Sequence, residues 1–412
     1  MKVWLKFLIG AVLGVVLGFL LPADNQAVSG AVAWLGELAI RIGRYALIPM
    51  LVFSLTIAVY ELREDGQFWG IVLKSFIVII GSAVFVILAG IFVTLLFPPS
   101  RIPIFTVVQP EAVALNILDN ILALFPSNMF AAVVNDGIFL LPACIFAFFF
   151  GMGLSYDRNY TKPVISLVDS LSRISYHIGS FFSEILGFVM IVLSAYWAIR
   201  FNYALGAEMF RDIILLLGIF SAVLGFGILP AFLYLLKPKV NPWKILYGSL
   251  SQALAGFFSG DINFTMPVMF RHLKENLGVR RRCNMVTITL FSAFGRSGSA
   301  MAGAMAFMVV VNSHSALGIT AADVVTIATS AFIISFLLGS HPGSGAYAAL
   351  AVLSINLGDA LGFPAGYLIL RPIAFYLIAV GTFLDVMITS VASYAIAHSS
   401  GFRGEKEPRN FI

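Results

Sequence analysis

Charge is what this sequence is short of. Asp, Glu, Lys and Arg make up 11% of its 412 residues, while hydrophobic types make up 60%. Soluble domains carry about 25% charged residues, so a water-exposed enzyme surface or a basic nucleic-acid groove is excluded, and the net charge of +5 has to be read as loop charge. Cysteine is scarcer still. Cys144 and Cys283 are the two present, too few for a disulfide framework or a zinc motif. No cofactor fingerprint, linker, low-complexity tract or soluble domain is visible. What fills the space is 38 Phe, a mean hydropathy of +0.98, and several apolar runs of at least the roughly 20 residues that cross a bilayer. The chain reads as an all-α polytopic membrane protein whose first partner is lipid.

Eight spans are expected, at 3–22, 34–59, 72–97, 129–155, 164–198, 210–236, 284–311 and 364–398. The run Leu5–Leu21 has the outline of a signal peptide but no small-x-small cleavage site, so it reads as a retained helix. Two further segments, about 245–270 and 321–356, are interrupted by Phe258-Ser-Gly-Asp-Ile-Asn-Phe264 and by Gly339-Ser-His-Pro-Gly-Ser-Gly345. Such sequences do not continue a helix. With a cytoplasmic N-terminus, one set of loops holds Lys2, Lys6, Arg63, Lys74, Arg158, Lys162, Lys237, Lys239, Lys244, Arg271, Lys274, Arg280, Arg281, Arg282, Arg403, Lys406 and Arg409. The other holds Arg101, Arg200 and Arg211. That bias satisfies the positive-inside rule only if each interrupted segment enters and leaves on one side. Both termini are then cytoplasmic. Each interrupted segment is expected to be a re-entrant helical hairpin; two ordinary buried loops are the plain alternative. Irregular backbone survives at membrane depth only inside protein or along a cavity, and secondary transporters build their sites there.

The stripe Gly10, Gly14, Gly18 suits close helix packing. Asp169 and Arg173, four apart, are expected to pair, and Glu184 to sit at a scaffold contact or span end. Glu37, Arg41 and Arg44 are expected at headgroups or another subunit, Arg371 at the interface, and the polar tail Ser399–Ile412 to be poorly ordered. The least expected stretch is Phe294–Gly303, FGRSGSAMAG, which sets Arg296 inside an apolar run. An arginine at the bilayer centre costs about 2.5–3.5 kcal/mol even on insertion scales.

Several segments together resemble the dicarboxylate/amino acid:cation symporters, the family of glutamate and aspartate transporters. The residues that carry the resemblance run in order along the chain: Leu8–Pro22, Leu35-Gly-Glu-Leu-Ala-Ile-Arg41 with Leu47-Ile-Pro-Met-Leu-Val-Phe-Ser54, Phe125-Pro-Ser-Asn-Met-Phe130, Asn241-Pro, Thr265-Met-Pro-Val268, Glu275-Asn-Leu-Gly-Val279 and Pro342-Gly-Ser-Gly345. The resemblance implies eight transmembrane helices plus two re-entrant hairpins in an elevator-type transporter, assembled as a homotrimer in a cell membrane, read here as a bacterial inner membrane. It divides the chain into scaffold helices (1–70), a third helix with its connecting loop (71–119), helices four to six (120–236) and a transport core of hairpins, seventh and eighth helices (237–412). It implies symport of a small organic anion or amino acid with sodium or a proton, no cofactor, and no enzymatic activity.

The family's recognition residues do not carry over. Its serine-rich first tip reads Asp261-Ile-Asn263; NMDGT reads Gly295-Arg-Ser-Gly-Ser299; DRFRT reads Ile378-Ala-Val-Gly-Thr382; the NVxGD region reads Asp385-Val-Met-Ile-Thr389. Ile378 thus stands where an amino-binding aspartate is expected and Gly381 where a carboxylate-binding arginine is. Substrate-contact candidates are Arg296, Asp385, Thr382, Asp261, Asn263, His341 and Gly345. Cation-coupling candidates are Gly295, Ser297, Ser299, Asp385 and Thr389. Arg296 has two possible acid partners, Asp261 and Asp385, and His341 titrates near neutral pH. Either Arg296 binds a substrate carboxylate, with Asp385 receiving an amino group, or its charge substitutes for a sodium ion and gives an uncoupled or weakly coupled carrier. A channel-like relative is an alternative. A rival from another class takes Gly295-Arg-Ser-Gly298 as the G-x-S-G of a rhomboid-type intramembrane serine protease, with Ser297 as nucleophile and His341 as base.

Overall fold

The computed structural model describes residues 2–22, 25–103, 122–134, 138–156, 158–205, 208–236, 241–314, 319–361 and 365–412. The loop residues Lys237 and Lys239 lie outside them. These residues are helical, without strands, apart from a lone bridge between Val279 and Arg403.

The first helix, α1, is Val3–Leu20, and the expected span 34–59 is longer and broken, into α2 (Gln26–Arg44) and α3 (Leu47–Glu64). Pro49 explains the break, because its missing N–H and its ring both oppose helix continuing through residue 45. Then come α4 (Phe68–Leu96), α5 (Leu141–Leu154) and the 48-residue α6 (Arg158–Leu205). The span expected at 129–155 is corrected: residues 129–132 form one 3-10 turn, and helix begins at Leu141, where Pro142 suits a first turn. The next run is α7 (Arg211–Val223), a π turn at Leu224–Ile228, and α8 (Leu229–Leu236). Pro230 has no N–H to donate one turn back, and the preceding Leu229 N–H bonds five residues back, to the Leu224 carbonyl.

The interrupted segments are two helix-turn-helix units. In the first, α9 (Pro242–Ser259) ends at Gly260, whose φ of +63° favours glycine, and Asp261 caps α10 (Ile262–Glu275). In the second, α13 (Ala321–Ser335), started by a Thr320–Asp323 capping box, leads through His341 and Pro342 to α14 (Gly345–Leu361). Between the units lie α11 (Arg281–Phe294) and α12 (Ser297–His314), one apolar run broken at Gly295-Arg296, and after them comes α15 (Ala374–Ser399).

Seven runs among the described residues are long and apolar enough to cross a membrane; the one missing from the eight expected is 129–155. Burial separates them into two kinds. In α1 and α4 33% of the most apolar window is buried, against 94% in the α11–α12 run. The first two turn Leu and Phe outward, as lipid-facing helices do, and the last is enclosed by protein. The glycine stripe of α1 meets α6: a Cβ at Gly18 would lie 2.6 Å from the Ala195 carbonyl oxygen. Asp169 and Arg173 pair at 2.9 Å, and Arg281 joins Asp169 at 2.7 Å. Glu184 joins Arg271 at 2.8 Å and Lys6 at 3.7 Å.

The C-terminal tail is docked, contrary to the expectation from its polarity. Phe411 is buried and stacked on Tyr247, the Ile412 N–H donates to the Asn276 side chain, and the Lys2 ammonium donates to the Arg409 carbonyl. Two apolar residues at its end supply the burial that its charges do not. Phe411→Ala should therefore speed tryptic cleavage at Arg403–Arg409 with little change in the global melting temperature; unchanged cleavage would show that Phe411 does not hold the tail.

Candidate functional site

The site grows from the break in the α11–α12 run. The Gly295 N–H closes α11 on the Phe291 carbonyl at 2.7 Å, Arg296 is unwound, and α12 restarts at Ser297 with free backbone donors in its first turn. Asp385, in the middle of α15, takes them. Its Oδ1 accepts from the N–H groups of Gly298 (2.7 Å) and Ser299 (3.2 Å). Its Oδ2 accepts from Arg296 Nε (2.7 Å) and Ser299 Oγ (2.6 Å). A carboxylate at a helix N-terminus is favoured by the helix dipole and by these donors. Arg296 is 0% and Asp385 1% exposed, so each neutralises a charge that could not remain buried alone.

Small residues make that approach possible. A Cβ on Gly298 would lie 2.8 Å from the Gly381 carbonyl oxygen and 2.9 Å from the Asp385 nitrogen, so α12 meets α15 backbone to backbone. Gly381 itself faces the Ser299 Cα, where a Cβ would come within 2.9 Å. Gly345 is needed for the same reason: a Cβ there would lie 2.6 Å from Arg296 Nη2. Arg296 thus reaches towards α14 beside Ser299, over the place where a residue-345 side chain would stand. Its Nη2 donates to Ser299 Oγ at 3.2 Å and, at a long 3.5 Å, to the Pro342 carbonyl of the second tip. Its Nη1 is buried with no hydrogen-bond partner among the described residues.

Of the two acids weighed for Arg296, Asp385 is the partner. Asp261 instead forms an ion pair with Arg44 at the α2–α3 break, and its Oδ1 caps the Phe264 N–H at 2.9 Å. Arg44, expected at a headgroup or subunit contact, is therefore an internal residue of this region, and Phe264 packs over Gly43 beside it. The two tips are joined directly, the Ile262 N–H donating to the Pro342 carbonyl at 3.2 Å.

The other candidates are dispersed or already engaged. Asn263 donates to the Ile138 carbonyl at 2.8 Å, Thr382 to the Gly260 carbonyl at 3.0 Å, and Thr389 to the Asp385 carbonyl at 2.6 Å. His341 is half-buried, its Nδ1 2.9 Å from Ser340 Oγ. Ser297 Oγ is buried without a hydrogen-bond partner among the described residues, His341 included, so the two form no hydrogen-bonded nucleophile–base dyad. Gly295 is closed in by the Phe291 ring, 2.8 Å from a Cβ placed on it. No group of three or more His, Cys, Asp or Glu able to hold a metal occurs among the described residues. Arg44, the Pro342 carbonyl and the α12 backbone donors are what sequence reasoning missed. An arginine immediately before the break that Pro49 makes was the one available signal.

The model of the sodium:dicarboxylate symporter family matches residues 3–399. The chain is similar to the proton/sodium-glutamate symport protein of Bacillus subtilis, 20% identical over 372 residues, which cover 87% of this chain and 83% of that protein. It is 26% identical over 165 residues to excitatory amino acid transporter 2 of Homo sapiens, covering 40% of this chain and 27% of that protein. With an excitatory amino acid transporter of Caenorhabditis elegans it shares 27% over 172 residues, 41% of this chain and 31% of that protein. It thus spans less than a third of the two animal proteins' lengths and most of the bacterial one.

Proposed function

The chain belongs to the sodium:dicarboxylate symporter family, whose members are transporters and not enzymes, and from that premise we propose that it carries a small organic carboxylate across the membrane as a secondary active transporter. Its apolar helices make it a multi-pass membrane protein. One observation carries the choice of a carboxylate: the buried guanidinium of Arg296 keeps Nη1 without an acceptor among the described residues, whereas both oxygens of Asp385 are taken by four donors. Arg296 anchors the anion through that nitrogen and Asp385 holds Arg296 in position. An amino group, which Asp385 was a candidate to receive, finds no open acceptor there, so the cargo need not be an amino acid.

In this reading the α9–α10 and α13–α14 units are re-entrant hairpins whose tips close over Arg296, and α5 serves as the fourth of eight crossing helices. Residues 237–412 move as an elevator against a scaffold of 1–70 and 120–236, with 71–119 connecting them. Three copies assemble in a bacterial inner membrane with both termini in the cytoplasm. The ion pairs Arg44–Asp261, Arg271–Glu184 and Arg281–Asp169 then cross the moving boundary and have to exchange at each stroke.

The family's name implies a coupling cation, and the Bacillus relative's name adds a proton. Here the buried charge of Asp385 is already balanced by Arg296, which favours a second reading, a carrier coupled weakly or not at all to sodium. Uptake of radiolabelled mono- and dicarboxylates, glutamate and aspartate into proteoliposomes, under sodium and pH gradients imposed separately, tests both. Uptake of a carboxylate that persists with choline in place of sodium is the expected result. An absolute sodium requirement would overturn the charge-substitution reading, and no flux of any carboxylate would overturn the carrier.

A further inference from the structure

A cavity of about 240 Å³ lies where the two tips meet α6, with neither Arg296 nor Asp385 among its lining residues. Gly260 and Gly343 form its tip side, Trp197 and Arg200 its α6 side, and Phe375 and Ile378 the start of α15. Its chemistry is aromatic with one positive edge. The Arg200 guanidinium sits over the rings of Tyr196 (5.0 Å) and Phe375 (5.7 Å), and among the described residues it forms no ion pair with a carboxylate. Trp197 stacks with Phe201 and meets Phe257 at 5.1 Å, while its indole N–H is buried without an acceptor among the described residues. Behind Gly343, Asp261 is neutralised by Arg44, so the charge facing the cavity is that of Arg200. The wall at Ile378 is hydrocarbon at the position where the family resemblance expects an amino-binding aspartate.

We propose that this cavity is a binding site for a single-ring aromatic carboxylate lacking an amino group, the carboxylate on Arg200 and the ring against Trp197 and Phe375. The volume is below the 300 Å³ or so at which sites for drug-sized ligands begin, which sets the limit of one ring. A guanidinium already stacked on aromatic faces is held with little freedom left to lose, and it offers a paired N–H edge to a carboxylate. The buried indole N–H needs an acceptor and supplies a second polar contact to the ligand. An ammonium group would lie beside Ile378 with nothing to pair with and would be rejected, since a buried unpaired charge is strongly disfavoured. The site draws walls from α6 and from both tips, and it stands independently of the transport reading because it is tested by binding alone.

The experiment uses the purified full-length protein with phenylacetate as probe, reading thermal stability and quenching of tryptophan fluorescence, with acetate, 2-phenylethanol and phenylalanine as comparators. Phenylacetate should raise the melting temperature and quench, and the three comparators should do neither at equal concentration. Arg200→Ala, at an exposed position, should weaken phenylacetate about tenfold or more, the loss expected of a charge-assisted hydrogen bond. Trp197→Phe should remove the quench, and Ile378→Trp should fill the cavity and block binding in a folded protein. Equal responses to phenylacetate and 2-phenylethanol, or phenylacetate binding undiminished in both Arg200→Ala and Ile378→Trp, would overturn the site, as would the absence of any phenylacetate response.

Discussion

Replacing Asp385 by alanine is expected to lower stability by about 3–5 kcal/mol, the loss seen when one partner of a buried ion pair is removed. Four donors are orphaned at once: Arg296 Nε, Ser299 Oγ and two backbone N–H groups that have no other acceptor among the described residues. Arg296→Ala should be comparably destabilising, because it leaves the carboxylate buried opposite neutral donors alone. The informative variant is the double one. Buried pairs exchanged together for apolar side chains of similar volume are often neutral in stability, so Arg296→Met with Asp385→Leu should melt closer to the parent than either single variant does. Its carboxylate uptake should nevertheless be at background, since the anchor is gone. Melting curves in detergent and proteoliposome uptake read the two halves separately. A double variant as unstable as the singles would show that the pair's charges are not what couples the residues, and uptake surviving in it would remove Arg296 from substrate binding.

The second large effect is expected at Gly298. A Cβ there would sit 2.5 Å from the Leu384 Cβ, 2.8 Å from the Gly381 oxygen and 2.9 Å from the Asp385 nitrogen. None of these is the end of a flexible side chain, so alanine has to push α12 from α15, an overpacking penalty of about 1–3 kcal/mol. The displacement falls on the backbone donors that hold Asp385, so transport should fail along with stability. Gly345→Ala makes a useful contrast. The nearest atoms it meets, Arg296 Nη2 at 2.6 Å and Ser299 Oγ at 2.9 Å, are side-chain ends rather than backbone, but both are held in the Asp385 network. That variant should leave the α12–α15 backbone contact in place, melt between the parent and Gly298→Ala, and lose affinity for the carboxylate. Equal stability of Gly298→Ala and the parent would mean that the helices are not in contact there.

How much of this is legible in the sequence depends on whether the deciding interaction is local. The break at Gly295-Arg296 and both helix-turn-helix units can be read, because Gly, Pro and charge interrupt apolar runs within a few residues. The start of α5 at Leu141 is local too, yet the apolar run from residue 129 conceals it and Pro142 is its one marker. The choice between Asp261 and Asp385 is not local. It follows from Gly298 and Gly381 letting two helices touch, which places Asp385 on the first turn of α12, and from Arg44 arriving at Asp261 from 217 residues away. The docked tail is an intermediate case: its polar composition argues for disorder, and Phe411 and Ile412 outweigh that only once Tyr247 and Asn276 are known to be opposite them.

The Pro342 carbonyl has a further consequence. It receives the Ile262 N–H of the first tip and the Arg296 guanidinium of the broken run on one oxygen, and proline has no N–H with which to hold on elsewhere. One atom of the second tip thus ties it both to the first tip, at 3.2 Å, and, at a long 3.5 Å, to the arginine that holds Asp385. A shift of that oxygen alters both contacts together, so a substitution that displaces either tip should be felt at Arg296 as well.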